Sequence, residues 1–182
     1  MTTLTETLMH SDMMATAFGA TALAGQVAWP LLKRRDHILT LQLGIAASYA
    51  AHYALQGVTS GATVCLIGAT QTTIALLAGD RPWLSRMGLG FIPLVCLVGA
   101  LTFSGPATLL AVAGCCLIML GRLQSCTVRM RAIMLAASPF GIGHDAFVGA
   151  YPALVGALLS AAIAATAFHR ELASRRSHPA HP

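Results

Sequence analysis

Seven apolar stretches fill almost the whole of this sequence, and they constrain the fold more than any other feature. They cover residues 13–32, 37–56, 59–78, 87–104, 106–121, 127–146 and 149–168. A helix of about 20 apolar residues crosses the hydrocarbon core of a bilayer. Only 9% of the residues are charged, against about 25% in soluble proteins. The sequence therefore predicts an all-α integral membrane protein with seven transmembrane helices, surrounded by lipid.

Charged or helix-breaking residues separate the stretches. Residues 33–36 carry three basic side chains and one acid, which are costly in hydrocarbon. Residues 79–82 combine glycine and proline, which favour a turn. The helix predictions for 106–121 and 127–146 have the weakest support, because the first stretch is short and the second contains Arg129 and Arg131 near its start. An arrangement of six helices is the alternative.

The basic residues indicate how the chain lies in the membrane. With seven helices and an outside N-terminus, all 11 Lys and Arg residues fall in the inner segments 33–36, 79–86, 122–131 and 169–182. Positive charge is concentrated on the cytoplasmic side of membrane proteins. We therefore expect a polar outside N-terminus (1–12), a membrane domain (13–168) and a basic cytoplasmic tail (169–182). The net charge of +5 reflects orientation, and we expect no nucleic-acid partner.

A short motif occurs twice at the outer ends of predicted helices. His52 and Gly57 form a His-x4-Gly motif, and His144 and Gly149 repeat it 92 residues later. Membrane transporters are often built from repeated groups of helices. The motif predicts two three-helix repeats, 13–78 and 106–168, joined by a linker helix, 87–104. Such a 3+1+3 arrangement makes the repeats parallel, related by an axis along the membrane normal.

The candidate site residues lie on one face of the second helix. Gln42, Tyr49 and Gln56 are spaced by seven residues, which is about two helical turns. His52 lies close to this face, and its imidazole could bind a hydroxylated or anionic solute or carry a proton. Polar atoms that face lipid lack partners, so we expect this face to point into the protein. It either lines a solute path or holds the helices together.

Two further polar residues complete the set of candidates. Gln71 lies in the inner half of the third helix, and His144 is the repeat counterpart of His52. If the repeat is real, the two histidines face each other near the outer mouth. For each of them, a hydrogen bond to a neighbouring helix is the alternative role.

The sequence lacks the patterns of an enzyme or a metal protein. None of the six acidic residues lies deep in a predicted helix, and the motifs of hydrolases, metalloproteases and nucleotide-binding loops are missing. The five cysteines show no metal-ligand spacing, and we interpret them as small packing residues. We therefore expect no catalytic residues, no metal and no cofactor.

The motifs also resemble a known family. The residues Leu41-Gln42, Tyr49, His52-Tyr53, Leu55, Gly57 and Gly61, followed later by His144-Asp145-x-Phe147-x-Gly149, are similar to the YgjV-type bacterial inner membrane proteins. The length and repeat pattern are similar to the 3+1+3 plan of the SWEET, PQ-loop and PnuC transporters.

These resemblances imply a protein of the bacterial inner membrane. We expect a transporter or facilitator of a small polar solute, in which the two repeats move against each other. The alternative is a non-transport membrane protein that acts in assembly or signalling through a protein partner. A homo-oligomer is compatible with both.

Overall fold

The computed structural model describes the backbone of residues 2–79 and 81–177, and the side chains of residues 12–59, 61–79, 81–151 and 153–174. Within these ranges the regular structure is entirely helical. The helices are α1 (Thr2–Ala28, followed by a 3-10 turn at Trp29–Leu31), α2 (Arg35–Leu55), α3 (Thr59–Ala78), α4 (Pro82–Leu89), α5 (Phe91–Leu101), α6 (Pro106–Arg122), α7 (Thr127–Val148) and α8 (Tyr151–Ser177).

The described chain forms seven helices if α4 and α5 are taken together. These two join at Gly90 into one bent apolar stretch, Pro82–Leu101. The prediction of an all-helical fold with seven helices, rather than six, is confirmed. Among the described residues, four helical stretches are long and apolar enough to cross a membrane: Arg35–Leu55, Gly61–Ala78, Pro82–Leu101 and Ala153–Ser174.

Several helices extend beyond the bounds predicted from the sequence. The first begins at Thr2, so the segment expected to be a polar terminus is helical from that residue on. The last continues to Ser177, through most of the expected cytoplasmic tail. An ion pair between Glu171 and Arg131 ties this extension to α7. The end of the tail, residues 178–182, lies outside the described residues.

The same turn follows α2 and α7. Gly57 and Gly149 have φ angles of 74° and 72°, a left-handed conformation that side chains with a Cβ rarely adopt. Each turn is closed by one 2.9 Å backbone hydrogen bond, from Val58 N–H to the Tyr53 carbonyl and from Ala150 N–H to the Asp145 carbonyl. The glycine of each His-x4-Gly motif is therefore required by the backbone.

Six helices pack in a closed order. The first three pack in sequence, α3 packs against α6, the last three pack in sequence, and α8 returns to α1. The bent helix α4–α5 lies outside this ring, against α3 and α6. The segments 13–78 and 106–168 thus each contribute three consecutive helices to the ring.

Two arginines join the ends of helices from different segments. At the start of α2, Arg35 donates from Nε to the Gln124 carbonyl at 2.8 Å and from Nη2 to the Arg122 carbonyl at 3.2 Å. In the second turn of α7, Arg131 donates to the carbonyls of Pro30, at 2.9 Å, and Leu32. Carbonyls at a helix C-terminus carry partial negative charge, so both guanidinium groups stabilise these ends.

The acceptors of the two arginines correspond along the chain. The carbonyls of residues 30 and 32 lie 92 positions before those of residues 122 and 124. Each segment therefore donates from an arginine of its second helix to equivalent carbonyls of the other segment, although the two arginines are 96 residues apart (131 − 35). From the sequence, both arginines were expected in inner segments. In the structure Arg131 is only 5% exposed, and its two Nη groups donate to carbonyls at the end of α1.

Candidate functional site

A cavity of about 300 Å³ lies between the six helices of the ring. Each of these helices contributes to its wall. The polar side chains in the wall are those of Gln26, Gln42, Tyr49, Arg122, Ser138 and Ser160. Most of the other lining residues are apolar, such as Ile45, Val64 and Met134. A largely apolar cavity with a few convergent polar groups is the usual form of a small-molecule site.

The structure brings two of the predicted site residues into the cavity wall. Gln42 and Tyr49 share one face of α2, as their spacing indicated, and both line the cavity. The Tyr49 hydroxyl donates to Gln26 Oε1 at 3.0 Å. In turn the Ser160 hydroxyl donates to the Gln26 backbone carbonyl at 2.7 Å. These bonds connect α2 and α8 through α1 on one side of the cavity.

The two histidines contact helices of their own segments. His52 Nδ1 lies 2.7 Å from the Ala15 carbonyl oxygen, and His144 Nδ1 lies 3.0 Å from that of Ala107. The ring of His52 also lies against Gly19, where a Cβ would come within 2.9 Å of Nδ1. Both histidines thus join the second helix of a segment to the first helix of that segment. Neither is among the residues that line the cavity.

The two remaining candidates also lie outside the cavity wall. Gln56 is exposed at the end of α2. Gln71 is fully buried, and its Nε2 donates to the Met119 carbonyl on α6 at 3.1 Å. Its Oε1 has no hydrogen-bond partner among the described residues. A role in a solute path stays a prediction for these two residues and for both histidines.

Arg122 is the functional candidate that sequence reasoning missed. It is the last residue of α6, is only 7% exposed and lines the cavity. Nη2 donates to Gln42 Oε1 at 2.8 Å and Nη1 donates to the Gly68 carbonyl at 3.3 Å. The buried Nε has no acceptor in the described part of the chain. In the sequence Arg122 resembled any other basic residue of an inner loop.

The cavity is electrostatically positive. None of its lining residues is acidic. The described ion pairs lie elsewhere, between Arg34 and Asp36 at the surface and between Arg131 and Glu171. Removing a cation from water without a partner costs several kcal/mol. The neutral acceptors of Arg122 offset part of this cost and leave its charge uncompensated.

The described residues contain no group of three or more His, Cys, Asp or Glu side chains that could hold a metal ion. Cys65 and Cys115 line the cavity and are free thiols. Binding at this site would therefore depend on one guanidinium, two amides and hydroxyl groups. These groups can bind and orient a polar solute.

Comparison with known protein families places this arrangement in context. The sequence model of the family Imp-YgjV, described as bacterial inner membrane protein, matches residues 13–173. No curated protein and no solved structure matches the chain. The family match includes every residue of the cavity wall and nearly all of the helical bundle. The chain therefore belongs to the Imp-YgjV family of bacterial inner membrane proteins.

Proposed function

We propose that the protein is a transporter or facilitator of a small polar solute, and that the solute occupies the central cavity. The observation that carries this proposal is a cavity of about 300 Å³ whose wall includes a buried arginine. A buried ionisable group in a membrane protein commonly marks a substrate or ion pathway. The side chains of Gln42 and Tyr49 would bind the solute together with Arg122.

The proposed topology has seven membrane spans, with the N-terminus outside and the C-terminus in the cytoplasm. The confinement of all 11 basic residues to the predicted inner segments supports this orientation. The inner ends would then carry the contacts of Arg35 and Arg131, and the outer ends would carry the turns at Gly57 and Gly149.

The proposed internal arrangement is two parallel three-helix units joined by α4–α5, as in SWEET-like transporters. Its support is the set of matched contacts 92 residues apart. These are the histidine–carbonyl contacts, the left-handed glycines and the carbonyls that accept hydrogen bonds from Arg35 and Arg131, although the two arginines themselves are 96 residues apart (131 − 35). In alternating access the two units would rock about the cavity. Opening the inner side would require the bonds of Arg35 and Arg131 to break.

The alternative is a non-transport protein whose polar face only packs helices or binds a partner. In that case the side chains of Gln42 and Tyr49 would be expected in tight contact with neighbouring helices. Both do hydrogen-bond a neighbouring helix, but both also line the cavity. The second property favours the transporter.

A cavity-filling substitution tests the proposal. Gly141 lines the cavity, and no heavy atom lies within 4 Å of the position that a Cβ would take. Gly141→Phe should fill the cavity without disrupting the helix packing. Gly44 is a matched control, because it is also helical, also has open space at its Cβ and is exposed outside the cavity.

The measurement is solute-driven swelling of liposomes that contain the full chain, with small neutral, anionic and cationic solutes. We expect wild type and Gly44→Phe to admit at least one solute faster than empty liposomes do. Gly141→Phe should reduce this rate to that of empty liposomes. Equal rates for Gly141→Phe and wild type, or no flux above background for correctly folded wild type, would contradict the proposal.

A further inference from the structure

We infer that the central cavity selects a small organic monoanion, whose carboxylate pairs with Arg122. This inference rests on the proposed function and specifies the class of its substrate. It starts from the hydrogen bonds that Arg122 makes and from those that it lacks.

The guanidinium of Arg122 is only partly satisfied. A guanidinium has five N–H donors in a fixed planar fork. In the structure Gln42 Oε1 accepts one hydrogen bond and the Gly68 carbonyl accepts another. Both acceptors are neutral, and the Nε–H is buried without an acceptor in the described residues. A carboxylate matches this fork, because its two oxygens accept two parallel N–H bonds.

The described side chains supply no carboxylate to the cavity. Of the four acids with described side chains, Asp36 pairs with Arg34 and Glu171 pairs with Arg131. Asp12 lies in the third turn of α1, and Asp145 lies in the last turn of α7. None of them lines the cavity. Since a buried cation without an anion is unfavourable, a ligand that brings one negative charge should bind better than a neutral one.

The charge and size of the cavity restrict the anion further. A single arginine balances a single negative charge, so a dianion would leave a buried negative charge uncompensated. The cavity volume of about 300 Å³ is at the lower limit of ligand pockets. The apolar side chains of Ile45, Ile118 and Met134 form part of the wall and suit a short hydrocarbon body. The expected ligand is thus a small monocarboxylate with an apolar or hydroxylated body.

Thermal unfolding of the full chain in detergent tests this inference with matched pairs of probes. Each carboxylate is compared with its neutral amide: propionate with propionamide, lactate with lactamide, and benzoate with benzamide. A ligand that binds only the folded state raises the midpoint. We expect a rise of roughly 5–10 °C for the best carboxylate at about one hundred times its Kd. The amides should give less than a third of that rise, and inorganic phosphate is tested separately.

Two variants localise the effect. Arg122→Gln removes the charge and keeps an N–H donor, so the rise with the carboxylate should disappear. Arg129→Gln is the matched control, because Arg129 is exposed on α7 and outside the cavity, and it should retain the full rise. If Arg122→Gln does not fold, the carboxylate–amide comparison in wild type still decides.

Three results of the unfolding experiment would contradict the inference. Amides that match their carboxylates, a rise only with phosphate, or a rise that survives in Arg122→Gln would overturn the inference. The swelling assay distinguishes this failure from failure of the proposed function. If neutral solutes enter the liposomes and Gly141→Phe blocks them, the transporter remains and only the monoanion selectivity is lost. If no solute enters and no carboxylate binds, both proposals fail.

Discussion

The segments 13–78 and 106–168 are alike at the ends of their helices and unlike around the cavity. In both segments a histidine contacts the carbonyl oxygen of the alanine 37 residues before it. In both segments the second helix ends in a left-handed glycine. At the cavity the correspondence is lost, because Gln42 and Tyr49 of the first segment stand where the second has Met134 and Gly141.

The contacts at the helix ends and the side chains around the cavity therefore have different roles. The contacts at the helix ends join consecutive helices within each segment. The side chains around the cavity determine what it can bind. The amides and the phenol come from the first segment, whereas the cation, Arg122, comes from the second. The two sides of the cavity therefore differ in charge. A cavity built from two identical halves would carry the same charge on both sides.

Loss of Arg131 should have the largest effect on stability. Arg131→Ala removes two hydrogen bonds to the end of α1 and the ion pair with Glu171. A hydrogen bond to a charged group contributes about 1.5–3 kcal/mol, so the two bonds together account for a loss of about 3–5 kcal/mol, and the partly exposed Glu171 adds little. The free energy of unfolding, measured by SDS titration, should fall by this amount. Arg35→Ala should cost less, because Arg35 is partly exposed and water can replace some of its bonds.

The control for this prediction is Arg129→Ala, which removes an exposed arginine of the same helix. It should change the free energy of unfolding by less than about 0.5 kcal/mol. If Arg131→Ala is as mild as this control, the contacts of Arg131 do not hold the two segments together.

The two left-handed glycines should be equally sensitive to substitution. Gly57→Ala and Gly149→Ala place a Cβ at φ angles of 74° and 72°, which costs about 1–2 kcal/mol. Gly44→Ala is the control, since Gly44 is helical with open space around it, and it should cause no loss. A large effect at only one of the two turns, again by SDS titration, would show that the two segments differ at these turns as well.

The smallest effects are expected at the two histidines. His52→Ala and His144→Ala should each reduce the free energy of unfolding by about 1 kcal/mol, the usual contribution of one hydrogen bond. His37→Ala, at an exposed position on α2, should have no effect. Liposome swelling should be unchanged in all three variants, because none of these residues lines the cavity. Loss of swelling in His52→Ala at unchanged stability would instead place this residue in the solute path.

Much of the fold could be predicted because its signals are local. Apolar length, glycine and proline predicted seven helices, and the spacing of Gln42 and Tyr49 placed both residues on one face of α2. The extension of α8 could not be predicted in this way. It passes through polar residues such as Arg170 and Glu171 and is supported by a contact with Arg131, which is distant in the sequence.

The sequence by itself determined that the chain is a helical membrane protein, since apolar length and charge act residue by residue. The repeated His-x4-Gly motif also indicated that a glycine ends α2 and α7, whereas the left-handed conformation of these glycines is a finding of the structure. Only the tertiary structure decided the roles of the arginines. Arg122, Arg129 and Arg131 lie close together in the sequence, yet the first lines the cavity, the second is exposed and the third contacts α1. The reason is that the environment of a long charged side chain depends on which helices pack around it, and distant parts of the chain supply those helices.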